Sequence, residues 1–371
     1  MRQQILITGG AGFIGSHLAN ELLRQGCRVR ALDNLCPQVH GPNAKRPTYL
    51  NPDVELQIGD VRDAAAVRKA LRGVDAVYHF VAAVGVGQSM YEIAEYTSIN
   101  NLGTAVLLEA LIKKPVERLI VASSMSLYGE GPYMDLDGKV RSDVLRSQAQ
   151  LRTQRWEPVD EQGRPLTPIA TPETKLPSLN SVYALSKYDQ EQLCLMIGRA
   201  YNIPAVALRF FNIYGPYQAL SNPYTGVLAI FASRLLNGRA PLINEDGQQK
   251  RDFVSVYDIA RACRLALEKS EAVGQVFNVA SGQQYTVAEL GDRIAAALGS
   301  SIRPEITGQY RAGDIRHCFA DITKIRSVLG YEPQVQLEDG LRDLAGWLEG
   351  QIAYDRVTEA RNELAARGLI V

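Results

Sequence analysis

Apolar runs alternate with helical periods through the first half of the chain. "QQILITG" opens with an unbroken apolar stretch, "GFIGSHLANELLRQG" follows with apolar residues three and four apart, and "CRVRALD" returns to the extended pattern. The exchange continues through "DVELQIGD", "AAAVRKALRG", "DAVYHFVAA", "TSINNLGTAVLLEALIKK" and "VERLIVASS". Strand and helix in alternation over this length predict an α/β fold, a doubly wound parallel sheet covered on both faces, because parallel neighbours need crossover helices. The rhythm breaks from Glu130 to Leu179, where the chain is polar, charged and Pro-bearing and only "RSDVLRSQAQLRTQR" has a helical pattern. This 130–179 segment is expected as a surface insertion, with a flap over a site as its role. The rhythm resumes with a helix from "NSVYALSKYDQE" and the strand "IPAVALRFFN". Beyond residue 212 the elements become short and mixed, which predicts a main domain over 1–212 and a smaller C-terminal substrate lobe over 213–371, with part of 251–280 crossing back to the sheet. The tail "RVTEARNELAARGLIV" reads as an amphipathic helix packed on the body.

With 371 residues, 46% of them hydrophobic, the chain can bury a sizeable core. Forty basic residues balance forty acidic ones, so no overall field draws it to nucleic acid or an anionic membrane, and an anionic ligand must be held by local groups. Cys27, Cys36, Cys194, Cys263 and Cys318 are scattered, with no C-x-x-C pair and only four histidines, which argues against a zinc site or a disulfide framework. They read as reduced thiols. "ILIT" is too short for the apolar core of a signal peptide and no later segment approaches a membrane span, so a cytoplasmic protein is expected.

Candidate chemistry begins at "ILITGGAGFIGSHL", where Gly9, Gly12 and Gly15 lie between an apolar strand and a helix opened by Phe13 and Ile14. Glycine permits a turn closed to other residues and lets backbone NH groups approach a pyrophosphate at the helix N-terminus. The next strand ends at Asp33, eighteen residues after Gly15, where a carboxylate can bind the adenosine ribose hydroxyls, with Asn34 beside it. That charge repels a ribose phosphate and favours NAD over NADP, although Arg28 and Arg30 stand nearby. "GDVRD" places Asp60 and Val61 at the adenine edge; a helix cap at Asp60 or Asp63 is an equal reading. In "NSVYALSKYDQE", Asn180 and Ser181 are positioned to cap a helix on which Tyr183 and Lys187 share one face. The pair alone leaves open whether it is a base with its tuner or an ordinary helix turn.

With the glycine turn, "SSMSLYG" and Y-x-x-x-K all in order, the sequence resembles the extended short-chain dehydrogenase/reductase family, in its nucleotide-sugar epimerase and dehydratase branch, over nearly the whole chain apart from the insertion. The resemblance implies a Rossmann domain with bound NAD, a lobe for a nucleotide-diphosphate sugar, and Ser124, Tyr183 and Lys187 as the catalytic set. It also implies that Val81, Ala82 and Ala83 of "HFVAAV" and Asn100 of "NNLGT" line the cofactor, and that Asn212 of "LRFFNIYGP", Arg251 of "KRDFVSVYD" and Arg311 of "YRAGD" meet the substrate diphosphate. Tyrosine, with a pKa of about 10, is a poor base at neutral pH. The Lys187 ammonium and the positive nicotinamide ring are expected to lower Tyr183, Ser124 to orient the reacting oxygen, and Lys187 also to hold the nicotinamide ribose. Tyr188, about 100° round the helix, is assigned to packing.

The family's dehydratases carry an acidic pair after the catalytic Ser/Thr and its decarboxylases a glutamate; here Met125 and Ser126 stand there. Hydride transfer alone remains, as in a 4-epimerase. The competing readings are a 4-keto-sugar reductase and, in another class, a cofactor-sensing scaffold, against which the intact Ser124, Tyr183 and Lys187 argue. The insertion and lobe resemble enzymes of deoxythymidine-diphosphate 6-deoxyhexoses, such as rhamnose, at least as well as the UDP-galactose type. Relatives form a four-helix dimer contact from the segments "YEIAEYTSINNLGTAVLLEALIKK" and "SVYALSKYDQEQLCLMIGRAY", which implies a homodimer.

Overall fold

The computed structural model describes residues 3–311 and 313–370. Its centre is a seven-stranded sheet in the order Val276–Val279, Ala205–Phe210, Arg118–Ser124, Ala76–His79, Gln4–Thr8, Arg28–Asp33, Glu55–Ile58, with every pair parallel. The alternation of the first strand decides its two faces. Ile5 and Ile7 pack into one core with Leu18 and Leu22 of the Phe13–Arg24 helix and Ile259 and Cys263 of the Val256–Glu268 helix. Leu6 turns to the opposite core, with Leu107 and Leu111 of the Gly103–Lys113 helix and Cys194 of the Val182–Ala200 helix. A sheet buried on both faces explains why its strands read as near-continuous apolar runs.

Register brings the strand ends together. Thr8 stands opposite both Leu32 and His79, and Ser124 opposite Phe210, so the glycine turn, the end of "VYH" and the end of "VASS" open onto one edge. The strand order reverses between Gln4–Thr8 and Ala76–His79, the switch point outside which open α/β sheets bind ligands.

The segment from Thr97 departs from the uninterrupted helix its pattern suggests. It runs as Ile93–Tyr96, a π-helical turn over Thr97–Leu102, then Gly103–Lys113. The wider turn carries Asn100 into the interior, where it is fully buried.

The 130–179 region differs most from expectation. It forms a three-stranded antiparallel sheet of Tyr133–Met134, Val140–Arg141 and Thr167–Pro168, and its helical stretch shrinks to Gln148–Arg152. Its apolar residues explain this: Val144 packs with Tyr133 and Leu166, whereas Leu151 and Trp156 pack with Tyr310, so one continuous helix cannot serve both clusters. The region is fastened rather than loose. Glu130 accepts hydrogen bonds from the backbone N of Arg316 at 2.8 Å and of His317 at 2.6 Å. The Arg316 guanidinium, with no exposed surface, meets Glu157, Glu245 and Asp246. Among the described residues no helix is long and apolar enough to cross a membrane.

Candidate active site

Gly9 adopts φ +71°, and a Cβ there would stand 3.0 Å from the Val81 nitrogen; on Gly15 it would stand 2.5 Å from the Gly9 carbonyl oxygen. Any side chain at these two positions would push the turn open. Gly12 caps the Phe13–Arg24 helix without a side-chain hydrogen bond, and the first turn carries no acid. The helix therefore offers Phe13, Ile14 and Gly15 backbone NH groups and its positive dipole end at the switch point.

Asp33 lies beside this turn: one carboxylate oxygen accepts from the Ala11 nitrogen at 3.0 Å and the other from the Leu35 nitrogen at 2.9 Å. Each oxygen retains acceptor capacity for ribose hydroxyls. Arg30 is committed elsewhere, to the Ala70 and Arg72 carbonyls at 2.6 and 2.8 Å and to Glu55 at 2.9 Å. His40, 3.8 Å from Asp33, is pushed below the usual imidazole range by burial, so it is neutral at pH 7 and brings no charge for a ribose phosphate. Asn34 donates to Asp60 at 3.2 Å. The Arg62 guanidinium, 2.8 Å away, holds the Asp60 carboxyl down to about 2. Asp63, not Asp60, caps the Ala64–Ala70 helix, through the Ala65 nitrogen at 2.8 Å. Val61 is buried against Gly103.

Val81, Ala82 and Ala83 leave the strand Ala76–His79 at the sheet edge, partly exposed. Asn100 pins them: its amide oxygen accepts from the Ala83 nitrogen at 2.8 Å, and its amide nitrogen donates to the Ala83 carbonyl at 3.1 Å and the Ser186 hydroxyl at 2.9 Å. With both ends of its amide committed, Asn100 shapes the loop instead of reaching outward. Glycine turn, uncapped helix start, Asp33 and this loop together fit a dinucleotide.

Ser124 ends the strand Arg118–Ser124, 9% exposed, and caps the turn Met125–Tyr128. Its oxygen accepts from the Ser126 nitrogen at 3.1 Å and the Ser126 hydroxyl at 2.9 Å, which leaves its own proton to donate outward. Ser181 caps the Val182–Ala200 helix through the Ala184 nitrogen at 3.1 Å, and the Ser89 hydroxyl holds the Tyr183 nitrogen at 3.0 Å. Tyr183 reaches Ser124, and Tyr96 stands edge-on to its ring at 6.5 Å. Ser124, Tyr183 and Lys187 thus share one end of the sheet, while Tyr188 packs into the core.

The electrostatics correct one expectation. Burial raises the Tyr183 phenol above its ordinary value, and the Ser124 hydrogen bond only partly offsets this. Lys187 points away: its ammonium, fully surrounded, donates to the Gln190 amide oxygen at 2.7 Å, and burial drives its pKa down to about 8. Behind Gln190 lies an interior chain of polar groups. The Gln190 amide nitrogen donates to the Thr104 hydroxyl at 3.0 Å, which donates to the Asn100 carbonyl at 2.5 Å; His79 bridges Thr104 at 2.8 Å and Thr8 at 2.9 Å. Burial, helped by the Lys187 charge, lowers His79 to about 3, so it is neutral. Sequence reasoning missed Gln190, His79 and Thr104. The available signals were a glutamine one helical turn beyond Lys187 and a polar residue closing an apolar strand.

The residues expected on the substrate side come from the C-terminal half. Asn212 pairs through its strand with Phe253, and its side-chain oxygen is buried with no hydrogen-bond partner. Arg251 donates to the backbone carbonyls of Lys250 at 2.9 Å and Arg316 at 2.8 Å and to that of Ile315. Arg311 meets Asp314 at 3.1 Å, and its Nε is buried without a partner. Burial works to raise the Asp314 carboxyl, but the charges of Arg311, Arg251 and Arg146 outweigh it and hold its pKa low. Arg146 is itself paired with Glu245 at 2.8 Å, whereas Arg251 meets backbone carbonyls and, among the described residues, makes no ion pair, so its charge is the one left for an anion.

This fold and this Ser, Tyr, Lys arrangement define a Rossmann-type dinucleotide-dependent enzyme of the short-chain dehydrogenase/reductase kind. The chain belongs to the NAD dependent epimerase/dehydratase family, whose profile matches residues 5–280. It is similar to a dTDP-L-rhamnose 4-epimerase of Burkholderia thailandensis, 35% identical over 94% of this chain and 96% of that one. Among solved structures it resembles a UDP-glucose 4-epimerase of Thermotoga maritima with UDP-glucose, 31% identical with TM-score 0.76 over 94% and 99% of the two chains. A UDP-glucose 4-epimerase of Thermus thermophilus in complex with NAD is 30% identical with TM-score 0.75 over the same shares.

Proposed function

We propose that the protein is an NAD-dependent 4-epimerase of nucleotide-diphosphate sugars, acting on a dTDP-linked 6-deoxyhexose of the rhamnose type. The observation that carries the reaction is Ser124 and Tyr183 at one end of the sheet with no acid following Ser124: Met125 and Ser126 follow, and Glu130, the next carboxylate in the chain, is spent on Tyr133, Arg316 and His317. A keto sugar formed here meets no carboxylate positioned to drive elimination or decarboxylation. The rhamnose reading is supported by the 35% identity to the Burkholderia enzyme.

Ser124 donates its hydrogen bond to the carbon 4 oxygen, and Tyr183 takes that hydroxyl's proton, then returns it after the keto sugar turns over. Bound NAD supplies the hydride acceptor and donor at carbon 4. The glycine turn and Phe13–Gly15 hold its pyrophosphate, Asp33 and Asn34 the adenosine ribose, and Asp60 and Val61 the adenine edge. Val81, Ala82 and Ala83, set by Asn100, line its path, and Lys187 turns from Gln190 to the nicotinamide ribose. The Tyr183 phenol, raised by burial in the protein alone, is lowered by the positive ring when NAD is present. Asn212, Arg251 and Arg311 take the sugar diphosphate.

Substrate carrying deuterium at carbon 4 is expected to give epimerised product with the label still at carbon 4 and no free reduced cofactor. Loss of label to solvent would overturn the epimerase reading, and a requirement for one equivalent of reduced cofactor per turnover would replace it with a reductase.

The working unit is a homodimer. Ile93 and Leu102, 53% exposed, and Met196, 54% exposed, stand on the helices beside an apolar groove lined by Ala94, Ala105 and Leu193. A second copy would cover this face. Sedimentation should give twice the chain mass; a monomer at micromolar concentration rejects the dimer.

A further inference from the structure

The helix Val357–Ala366 and the chain after it lie across the substrate side of the molecule. Asp355, just before the helix, is anchored by Arg234 at 3.2 Å and Arg239 at 3.0 Å. Ala360 and Leu364, one turn apart, are buried. Leu364 packs on Gly87, where a Cβ would stand 3.2 Å from its methyl carbon. Gly87 belongs to the short helix Val86–Ser89, whose Ser89 hydroxyl holds the Tyr183 nitrogen. Arg367 stacks its guanidinium on the Tyr91 ring at 4.4 Å. On the other side, Ile370 bridges the Arg311 backbone, and Arg361 donates to the Asn244 side-chain oxygen at 3.0 Å and to Gln309. One segment is therefore fastened both to the loop that follows Ala83 and to the stretch that carries Gln309 and Arg311.

Its charge is incompletely balanced. Arg361 is half-buried and its two hydrogen-bond partners are neutral amides; among the described residues it makes no ion pair. Arg311, whose Nε is buried and unpartnered, has only Asp314. Burial first, then the like charges of Arg234 and Arg311, lower the Arg361 pKa against a weaker opposing pull from Glu305, and the anions beside those two cations, Asp355 and Asp314, are already paired with them. A half-buried guanidinium held toward another by neutral partners is arranged for a ligand that brings the missing charge.

We infer that Arg361 is a substrate-binding residue, a third arginine for the nucleoside-diphosphate end of the substrate, carried on a C-terminal strap that spans the cleft. This rests on the proposed reading of Arg251 and Arg311 as diphosphate ligands. The strap ties substrate retention to the catalytic helix, because Leu364 presses on the turn that positions Tyr183. Filling the anion site removes the Arg361–Arg311 repulsion, so nucleotide binding tightens the strap.

The test is titration of dTDP and UDP into the NAD-loaded enzyme by calorimetry. Arg361→Gln should weaken the preferred nucleotide roughly ten- to hundred-fold, in line with loss of one charge-assisted hydrogen bond. Arg361→Lys should recover part of it. In the parent, amides of residues 357–370 should gain protection from hydrogen exchange when that nucleotide is added; in Arg361→Gln the gain should disappear, a readout that does not depend on the variant's stability. Binding within twofold of the parent, or exchange in the tail unchanged by nucleotide, overturns the inference while leaving the epimerase reading standing. A parent enzyme that binds neither nucleotide overturns both.

Discussion

Tyr183→Phe is expected to lower turnover by roughly a hundred- to ten-thousand-fold, the range for removal of a general base, while NAD and the nucleotide sugar still bind. The structure isolates the oxygen cleanly. The ring is placed by its edge contact with Tyr96 and the backbone by Ser89, and neither needs the hydroxyl. What disappears is the group that meets Ser124. The parent rate should rise with pH as the phenol ionises, because only the phenolate accepts the substrate proton. The residual rate of the phenylalanine variant should lack that limb. A variant retaining a tenth of the parent rate, or keeping the same pH limb, would remove Tyr183 from the role of base.

The second large effect concerns stability. Glu191, with no exposed surface, accepts from Arg209 at 2.9 and 2.7 Å and from the Ser123 hydroxyl at 2.6 Å. Arg209 also donates to the Tyr128 hydroxyl at 2.8 Å, which donates to Asn278 at 2.7 Å. The pair joins the Val182–Ala200 helix to the strand Ala205–Phe210 and so to the sheet beneath Ser124. Arg209→Leu strands a carboxylate in the interior and should cost about 3–5 kcal/mol, read from urea unfolding. Arg209→Leu with Glu191→Gln removes the stranded charge yet keeps an acceptor for Ser123, and should regain a large part of the loss. If the double variant is no more stable than the single one, the uncompensated charge is not the cause.

The doubly wound sheet was legible because Ile5, Leu6 and Ile7 are apolar on both faces and a glycine turn follows. Tyr183 and Lys187 were legible as a pair because four residues make one helical turn. The direction of Lys187 was not, since its partner Gln190 and the polar chain through Thr104 and His79 join residues up to 111 positions apart, and no local period records such a contact. The same holds for the 130–179 region. Its polar composition suggested a surface insertion, but not its fastening, because Glu130 and Glu157 are answered by Arg316 and His317, which lie far along the chain. Arg251 and Arg311 were recognisable from their surrounding motifs, but not as two of three arginines around Asp314, because Arg146 arrives from that same polar region.

The strand Val276–Val279 completes the sheet after a run of short elements that lie outside it, pairing Phe277 with Leu208. During synthesis, a nascent chain that has just emitted Phe210 carries an open β edge and must wait some sixty further residues for the piece that closes it. Folding is thereby weighted toward late, long-range pairing, a slow topology in which the exposed edge can recruit the wrong strand. A fragment ending at residue 212 would present that edge permanently, and would aggregate where the full chain does not.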